Sequence, residues 1–308
     1  MNIQHLRYAV EVARTGSINK AAHRLLVAQP NLSRSIKDLE ASLGVKLFDR
    51  SPLGMTMTPA GEEFVGYAAR ILSQIEEVEN LYKDGLPVRN RITISLSRTS
   101  YAAEALVNFT RRMGSNPVEI FYLEGNSRMA VQNVTAGDSD LGIVRYALSY
   151  EMYYKAYLEE KGLDSRLIGD FQYICLMSEH HRLADREVLK EEDLQNFIEI
   201  AAADPYVPSI SVEQVRKTQE LSGVTRHIYV ADRASQFELL SSNPETFAFV
   251  SPLPKDILDR YHLVQREAPF LNTTYRDILI YSKYHDIKPF ENDFIEELIK
   301  ARKETMKR

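Results

Sequence analysis

The chain has 308 residues, 44% of them apolar and 26% charged, with a formal net charge of −5. That length exceeds one ordinary core and suits two or three domains, and the balance is that of a globular chain rather than a disordered or collagen-like one. No run of about 18 apolar residues calls for a membrane span, and Cys175 as the single cysteine excludes an intrachain disulfide and a zinc–thiolate cluster. With M-N-I-Q-H-L-R-Y lacking a secretory layout, both features point to the reducing cytoplasm. The charge is unevenly placed: eight Lys/Arg against four Asp/Glu through Thr58, thirty against thirty-nine beyond it. A basic head on an acidic body is the asymmetry of a DNA-binding segment joined to a separate domain.

Residues 3–14 read as an amphipathic helix with Ile3, Leu6, Val10 and Ala13 toward the core. Gly16 ends it, Ser17 caps a second helix over 18–25, and Ala21 and Ala22 are small where two helices must cross. After a tight turn, a third helix carries Leu32, Ile36, Leu39 and Leu43 on an apolar face. Pro30, Ser33, Arg34 and Lys37 recur on another face, which suits a DNA major groove: Arg bonds guanine O6 and N7, and Lys neutralises phosphate. An ordinary charged surface helix has the same spacing. Gly44 stops this helix. V-K-L-F-D-R and G-M-T-M-T, separated by S-P-L, read as a two-stranded wing with Arg50 near its tip. Thr58 then caps a long helix whose Phe64, Ala68, Ile71, Ile75, Val78 and Tyr82 keep a 3.5-residue repeat, the seam of a helix that pairs with another helix. That partner is either the chain's own body or, preferred here, a second copy.

Residues 1–86 resemble the winged helix-turn-helix and linker helix of the LysR-type transcriptional regulators. The resemblance rests on L-R-Y-A-V-E-V-A, G-S-I-N-K-A-A, A-Q-P-N-L-S-R-S-I-K-D-L-E, L-G-V-K-L-F-D-R and T-P-A-G, in the family's order and spacing. One departure is Ala28, where the family often has serine or threonine; if that position caps the third helix, the change costs about 1 kcal/mol. The resemblance implies a DNA-facing set of Ser17, Gln29, Pro30, Asn31, Ser33, Arg34, Lys37, Arg50 and Thr58. It also implies a ligand-responsive regulator that binds partly palindromic operators as a homodimer or homotetramer, touches RNA polymerase, and needs no cofactor.

From Arg91 onward strands alternate with helices: strands at 91–97, 118–124 and 140–145, helices from 99 and 127. That βαβαβ order predicts a parallel sheet. The alternation returns with strands at 171–177, 197–202, 226–230, 247–250 and 275–283, and helices near 191–195, 211–221, 233–241 and 289–304. The expected class is α/β with a mainly helical head, in three parts: 1–58, a linker helix at 59–86, and an effector-binding domain at 91–308. Similarity to the family's effector domain, whose fold is that of periplasmic solute receptors, divides the last part into lobe I (91–166 and 268–308) and lobe II (167–267). A Tyr-rich stretch at 146–163 is longer than the family's usual connection.

In such lobes ligands sit beyond the carboxyl ends of strands. Ser97, Thr99 and Ser100 follow the first strand, Asn126 and Ser127 the second, and Arg145 the third. Together they suit a small anion, most plausibly an organic acid, although Thr99 and Ser127 also fit plain helix caps and Arg145 also fits a bridge between lobes. Ala202, Ala203, Pro205, Tyr206 and Ser251 are the lobe II candidates. An enzyme is the rival class. The chain has no G-x-G-x-x-G, P-loop, H-E-x-x-H or G-x-S-x-G. Ser17-x-x-Lys20 lies on the head, and the adjacent His180 and His181 have no third ligand at helical spacing.

Overall fold

A computed structural model describes residues 1–51, 54–83, 90–115, 117–219, 221, 223–283 and 285–306. The side chains of residues 50, 51, 70, 73, 76, 77, 79–83 and 219 lie outside that description, which takes in Arg50 and Tyr82. The chain divides into two compact units, Met1–Val88 and Arg89–Arg308.

In the first unit α1 (Ile3–Thr15) starts at Asn2, whose side chain accepts the His5 N–H, and ends at Gly16 in the left-handed region. Ser17 caps α2 (Ile18–Arg24), and α3 (Gln29–Leu43) begins at Ala28 with no side-chain cap and ends at Gly44. The core face of α1 differs from the expected one. Leu6, Tyr8, Ala9 and Val12 are buried, while Ile3 is exposed and Val10 only half-buried. Both faces have apolar residues at helical spacing, and the crossing with α2 and α3 selects the one that carries Ala9, the smallest side chain. The core continues through Ala21, Ala22, Leu32, Ile36 and Leu39 to Leu47 and Phe48; Leu43 lies outside it, exposed.

The wing is an antiparallel pair, β1 (Phe48–Ser51) and β2 (Gly54–Met57), with Phe48 opposite Met57. Its base is tied to α3 by Glu40, whose Oε1 accepts the N–H groups of Leu47 (2.8 Å) and Phe48 (3.1 Å). Helix α4 (Pro59–Lys83) follows and packs on α1. Phe64 packs on the head's own core and Ala68 is 1% exposed, so the first two members of the expected seam serve this unit itself. Ile71 and Val78 are exposed and Ile75 is half-buried.

The second unit holds two five-stranded sheets. The first has the order β4-β3-β5-β12-β6, from β3 (Asn90–Ser97), β4 (Val118–Gly125), β5 (Leu141–Ala147), β6 (Leu163–Gln172) and β12 (Thr274–Ser282). Helices α5 (Ala102–Arg112) and α11 (Pro289–Thr305) cover one face; α6 (Ser127–Ala136) and α7 (Glu151–Glu160) cover the other. The second sheet has the order β11-β7-β10-β8-β9, from β7 (Ile174–Ser178), β8 (Ile198–Ala202), β9 (His227–Val230), β10 (Thr246–Val250) and β11 (Leu263–Arg266). Helices α8 (Val212–Gln219), α9 (Arg233–Ser242) and α10 (Lys255–Tyr261) accompany it.

Two expectations are corrected here. The sheets are mixed: β3, β4 and β5 are parallel, but β12 runs antiparallel to β5 and β6, and β7 antiparallel to β10 and β11. The lobe boundary also moves. β6 pairs with β12 from Leu163↔Ser282 to Gln172↔Thr274, so residues 167–172 belong to lobe I, and the chain crosses at Tyr173 and over 267–273. The two crossings meet where Tyr173 stacks on Tyr275 at 3.9 Å.

Lobe II also carries a buried histidine with one protonation state. His181 is 3% exposed; its Nδ1 accepts the Leu183 N–H at 3.0 Å, which fixes the neutral form with hydrogen on Nε2. Burial pushes its pKa down from 6.5 to about 4. The unfolded chain therefore binds this proton more readily, so His181's contribution is fully present above about pH 6.5 and is lost as the pH falls toward 4. Denaturant titrations should show lobe II about 2 kcal/mol less stable near pH 5 than near pH 8 from this group. His181→Leu should flatten that slope; an unchanged slope would exclude His181 as its source.

Candidate functional site

Two surfaces concentrate functional chemistry, one in each unit. On the head, burial of Leu32, Ile36 and Leu39 aims the opposite side of α3 outward. Gln29, Pro30, Asn31, Arg34 and Lys37 are exposed, and Ser33 is half-buried. Arg34 and Lys37 enter no ion pair among the described residues, so both cations are available to an anionic partner. Leu26, in the turn before α3, is 91% exposed with φ +55°, a backbone conformation that few leucines adopt. Two other members of the expected DNA-facing set do local work. Ser17 accepts the Lys20 N–H as a cap. The Thr58 hydroxyl donates to the Lys46 carbonyl at 2.7 Å and accepts the Gly61 N–H at 3.0 Å.

In the second unit a cavity of about 390 Å³ opens between the lobes, at the carboxyl ends of β3, β4, β5 and β8. Ser97, Ser100, Asn126, Ser127, Arg145, Ala202 and Ser251 all line it, as strand ends in α/β lobes predict. Thr99 does not. It is fully buried, its hydroxyl donating to the Ser97 carbonyl at 2.6 Å, and so is neither ligand contact nor helix cap. Nor is Ser127 the cap of α6; Asn126 is, and the Ser127 hydroxyl bonds the backbone of Arg145.

Most charge around the cavity is already spent on holding the lobes together. Arg145 donates from Nε and Nη2 to the two oxygens of Asp277, each at 2.8 Å, and from Nη1 across the gap to Ser251 Oγ at 3.0 Å. Asp277 is 1% exposed and also accepts the Tyr101 hydroxyl at 2.7 Å. Arg98 pairs with Asp204, which accepts from Asn126 Nδ2 as well (2.9 Å). Arg233 reaches Glu124 at 2.8 Å, and Ser100 Oγ lies 3.0 Å from Ser251 Oγ. Arg145 is thus a bridge with its charge neutralised.

Among the described residues, Ser97 Oγ and Arg216 Nε of the cavity lining are buried with no hydrogen-bond partner. Arg216 lies over the Tyr229 ring at 4.6 Å, and one of its terminal nitrogens donates to the Ala203 carbonyl. Tyr146, Tyr150, Tyr173, Tyr206, Tyr229 and Tyr275 supply broad aromatic walls. The Tyr-rich helix α7 takes part in this shape. Tyr154 stacks on Tyr146 at 4.5 Å and donates to the Tyr206 carbonyl at 2.7 Å.

Residues 3–62 match the family described as bacterial regulatory helix-turn-helix protein, lysR family. Residues 3–62 are thus a helix-turn-helix domain of the LysR type. Among relatives named as HTH-type transcriptional regulators, BenM of Acinetobacter baylyi is 39% identical over 94 residues, a stretch that covers 30% of this chain and 31% of BenM. BudR of Raoultella terrigena is 28% identical over 249 residues, 79% of this chain and 80% of that one. The BenM match therefore spans about a third of that protein's length. Full-length CbnR, solved in complex with its target DNA, aligns with a TM-score of 0.59 at 19% identity, covering 98% of this chain and all of that one. Full-length OxyR from Pseudomonas aeruginosa aligns at 0.56 with 18% identity over 98% and 94% of the two chains. At those identities the likeness is one of fold, and it covers the two-lobed unit as well as the head.

Sequence reasoning missed Arg98, Asp204, Arg216 and Asp277 at this cavity. Asp277 had a signal: Arg276 and Asp277 interrupt an otherwise apolar strand, and a charge inside a strand must find a buried partner. Arg216 had none, because only the fold brings α8 against β9.

Proposed function

We propose that this chain is a DNA-binding transcriptional regulator of the LysR type whose affinity for its operator answers to a small organic acid in the interlobe cavity. The observation that carries the DNA half is the two-sided α3, buried through Leu32, Ile36 and Leu39 and presenting unpaired Arg34 and Lys37 outward. Gln29, Pro30, Asn31 and Ser33 lie on the same presented surface and complete the groove-reading set, with Arg50 of the wing as a backbone contact. Ile71, Ile75 and Val78 on α4 are the apolar positions left to pair with a second copy, and a two-fold dimer, or a tetramer of two dimers, matches a partly palindromic site. Contact with RNA polymerase and a place in the cytoplasm follow from that role. No helix among the described residues is long and apolar enough to cross a membrane.

The acid half rests on Arg216. Arg98, Arg145 and Arg233 are each paired with a carboxylate, whereas the Arg216 Nε–H is buried with no acceptor among the described residues. A ligand carboxylate would satisfy that N–H, and the tyrosine walls suit a planar or aromatic body. Arg34→Ala tests the DNA half. On operators selected from random DNA it should cost about 1–3 kcal/mol and relax the preference at one base position. Equal affinity and equal base preference would remove Arg34 from the reading set.

A further inference from the structure

A second polar cluster lies away from the cavity. Asp140, His285 and Glu291 each offer one ligand atom, and these atoms all lie within 4.8 Å of one another. Asp140 immediately precedes β5, and Arg145 at the cavity is five residues further on, about 16 Å along an extended strand. β12 runs antiparallel to β5, so His285, just beyond its end, returns to the Asp140 side. Glu291, in the first turn of α11, completes the set.

The geometry points to a cation more than to a finished hydrogen-bond network. Glu291 is fully buried, and its Oε2 is 2.8 Å from His285 Nε2 and accepts the Lys288 N–H at 2.9 Å. Its Oε1 is buried with no hydrogen-bond partner, and Lys288 Nζ stands 3.8 Å from it. Asp140 uses one oxygen on the Thr93 N–H (2.7 Å) and keeps a second. A buried carboxylate oxygen without a partner carries its full desolvation cost, which a bound cation would remove.

We propose that Asp140, His285 and Glu291 form a binding site for one first-row divalent cation of the zinc class. Two carboxylates and an imidazole are ligands that zinc takes at about 2.0–2.2 Å, and the imidazole sets the site apart from the all-oxygen shells of calcium and magnesium. On binding, His285 Nε2 gives up its proton to solvent and its contact with Glu291 is replaced by a shared ion. The ion would tie the start of α11 to the ends of β5 and β12, so its effect is on the stability of lobe I.

The test is calorimetric titration of the metal-free, full-length protein with Zn²⁺, alongside the absorption spectrum with Co²⁺ as a spectroscopic substitute. One site per chain is expected, with a raised melting temperature. His285→Gln and Asp140→Asn should each weaken binding by on the order of tenfold or more, whatever each does to the metal-free melting temperature. Absence of saturable binding by the wild type would overturn the proposal. So would variants that bind as the wild type does, which would place the ion elsewhere on the protein. If either variant fails to fold, ring-nitrogen NMR of the wild-type histidines decides: a Zn²⁺-dependent shift at His285 is expected, and its absence overturns the assignment.

Discussion

Asp277→Ala is expected to destabilise the two-lobed unit by about 3–5 kcal/mol, because it strands a buried guanidinium. Asp277 meets Arg145 through both carboxylate oxygens and takes the Tyr101 hydroxyl as a third partner. Removing the carboxylate leaves Arg145, whose side chain is 10% exposed, with only the Arg98 carbonyl and Ser251 Oγ as acceptors. Asp277→Asn keeps polar atoms in place but not the charge, and should fall between wild type and Asp277→Ala. Chemical denaturation of the full chain measures both. Because the Arg145 fork also reaches Ser251 in lobe II, the loss should be accompanied by faster amide exchange at the lobe contact. A change below about 1 kcal/mol, the scale of an exposed ion pair, would contradict this account of the bridge.

Gly61→Ala should be the most damaging change in the head. A Cβ there would lie 1.9 Å from the Leu47 carbonyl oxygen and 2.9 Å from its carbon. Both are backbone atoms, and that carbonyl accepts the Thr58 N–H at 3.0 Å. Nor can Leu47 retreat easily, since its side chain is fully buried and its N–H is held by Glu40. The start of α4 must therefore move away from the wing, at a cost of about 2–3 kcal/mol as overpacking. Operator affinity should fall with it, since the wing and α3 share this base. Unaltered stability of the head in thermal or denaturant melts would show that α4 shifts without cost.

The helical head was the most legible part, because each of its boundaries has a local cause: Asn2 and Ser17 as caps, Gly16 and Gly44 as stops. Periodicity alone did not select the core face of α1, where two apolar faces compete and the crossing helices choose. β6 was unreadable for a related reason. L-D-S-R-L-I-G-D-F-Q neither alternates cleanly nor forms an apolar run, and the strand exists because β12 offers it a long antiparallel edge. Of the eleven positions that strand-end logic named, nine line the cavity; Thr99, whose hydroxyl is turned back to Ser97, and Ala203 do not. Of the two roles open to Arg145, charge partner or bridge, the pairing with Asp277 and Ser251 selects the bridge. Among the described residues, the cavity arginine with no carboxylate partner is Arg216, which comes from a helix in the other lobe.

The central claim, that one chain couples an acid-binding cavity to a DNA-reading head, is tested most directly by fluorescence anisotropy of the full-length protein on its selected operator. The titrant would be a panel of small aliphatic and aromatic carboxylates. At least one acid should change operator affinity. Arg216→Ala should abolish that response while binding the operator as the wild type does when no acid is present. An acid response that survives Arg216→Ala, or no response to any carboxylate, would contradict the claim.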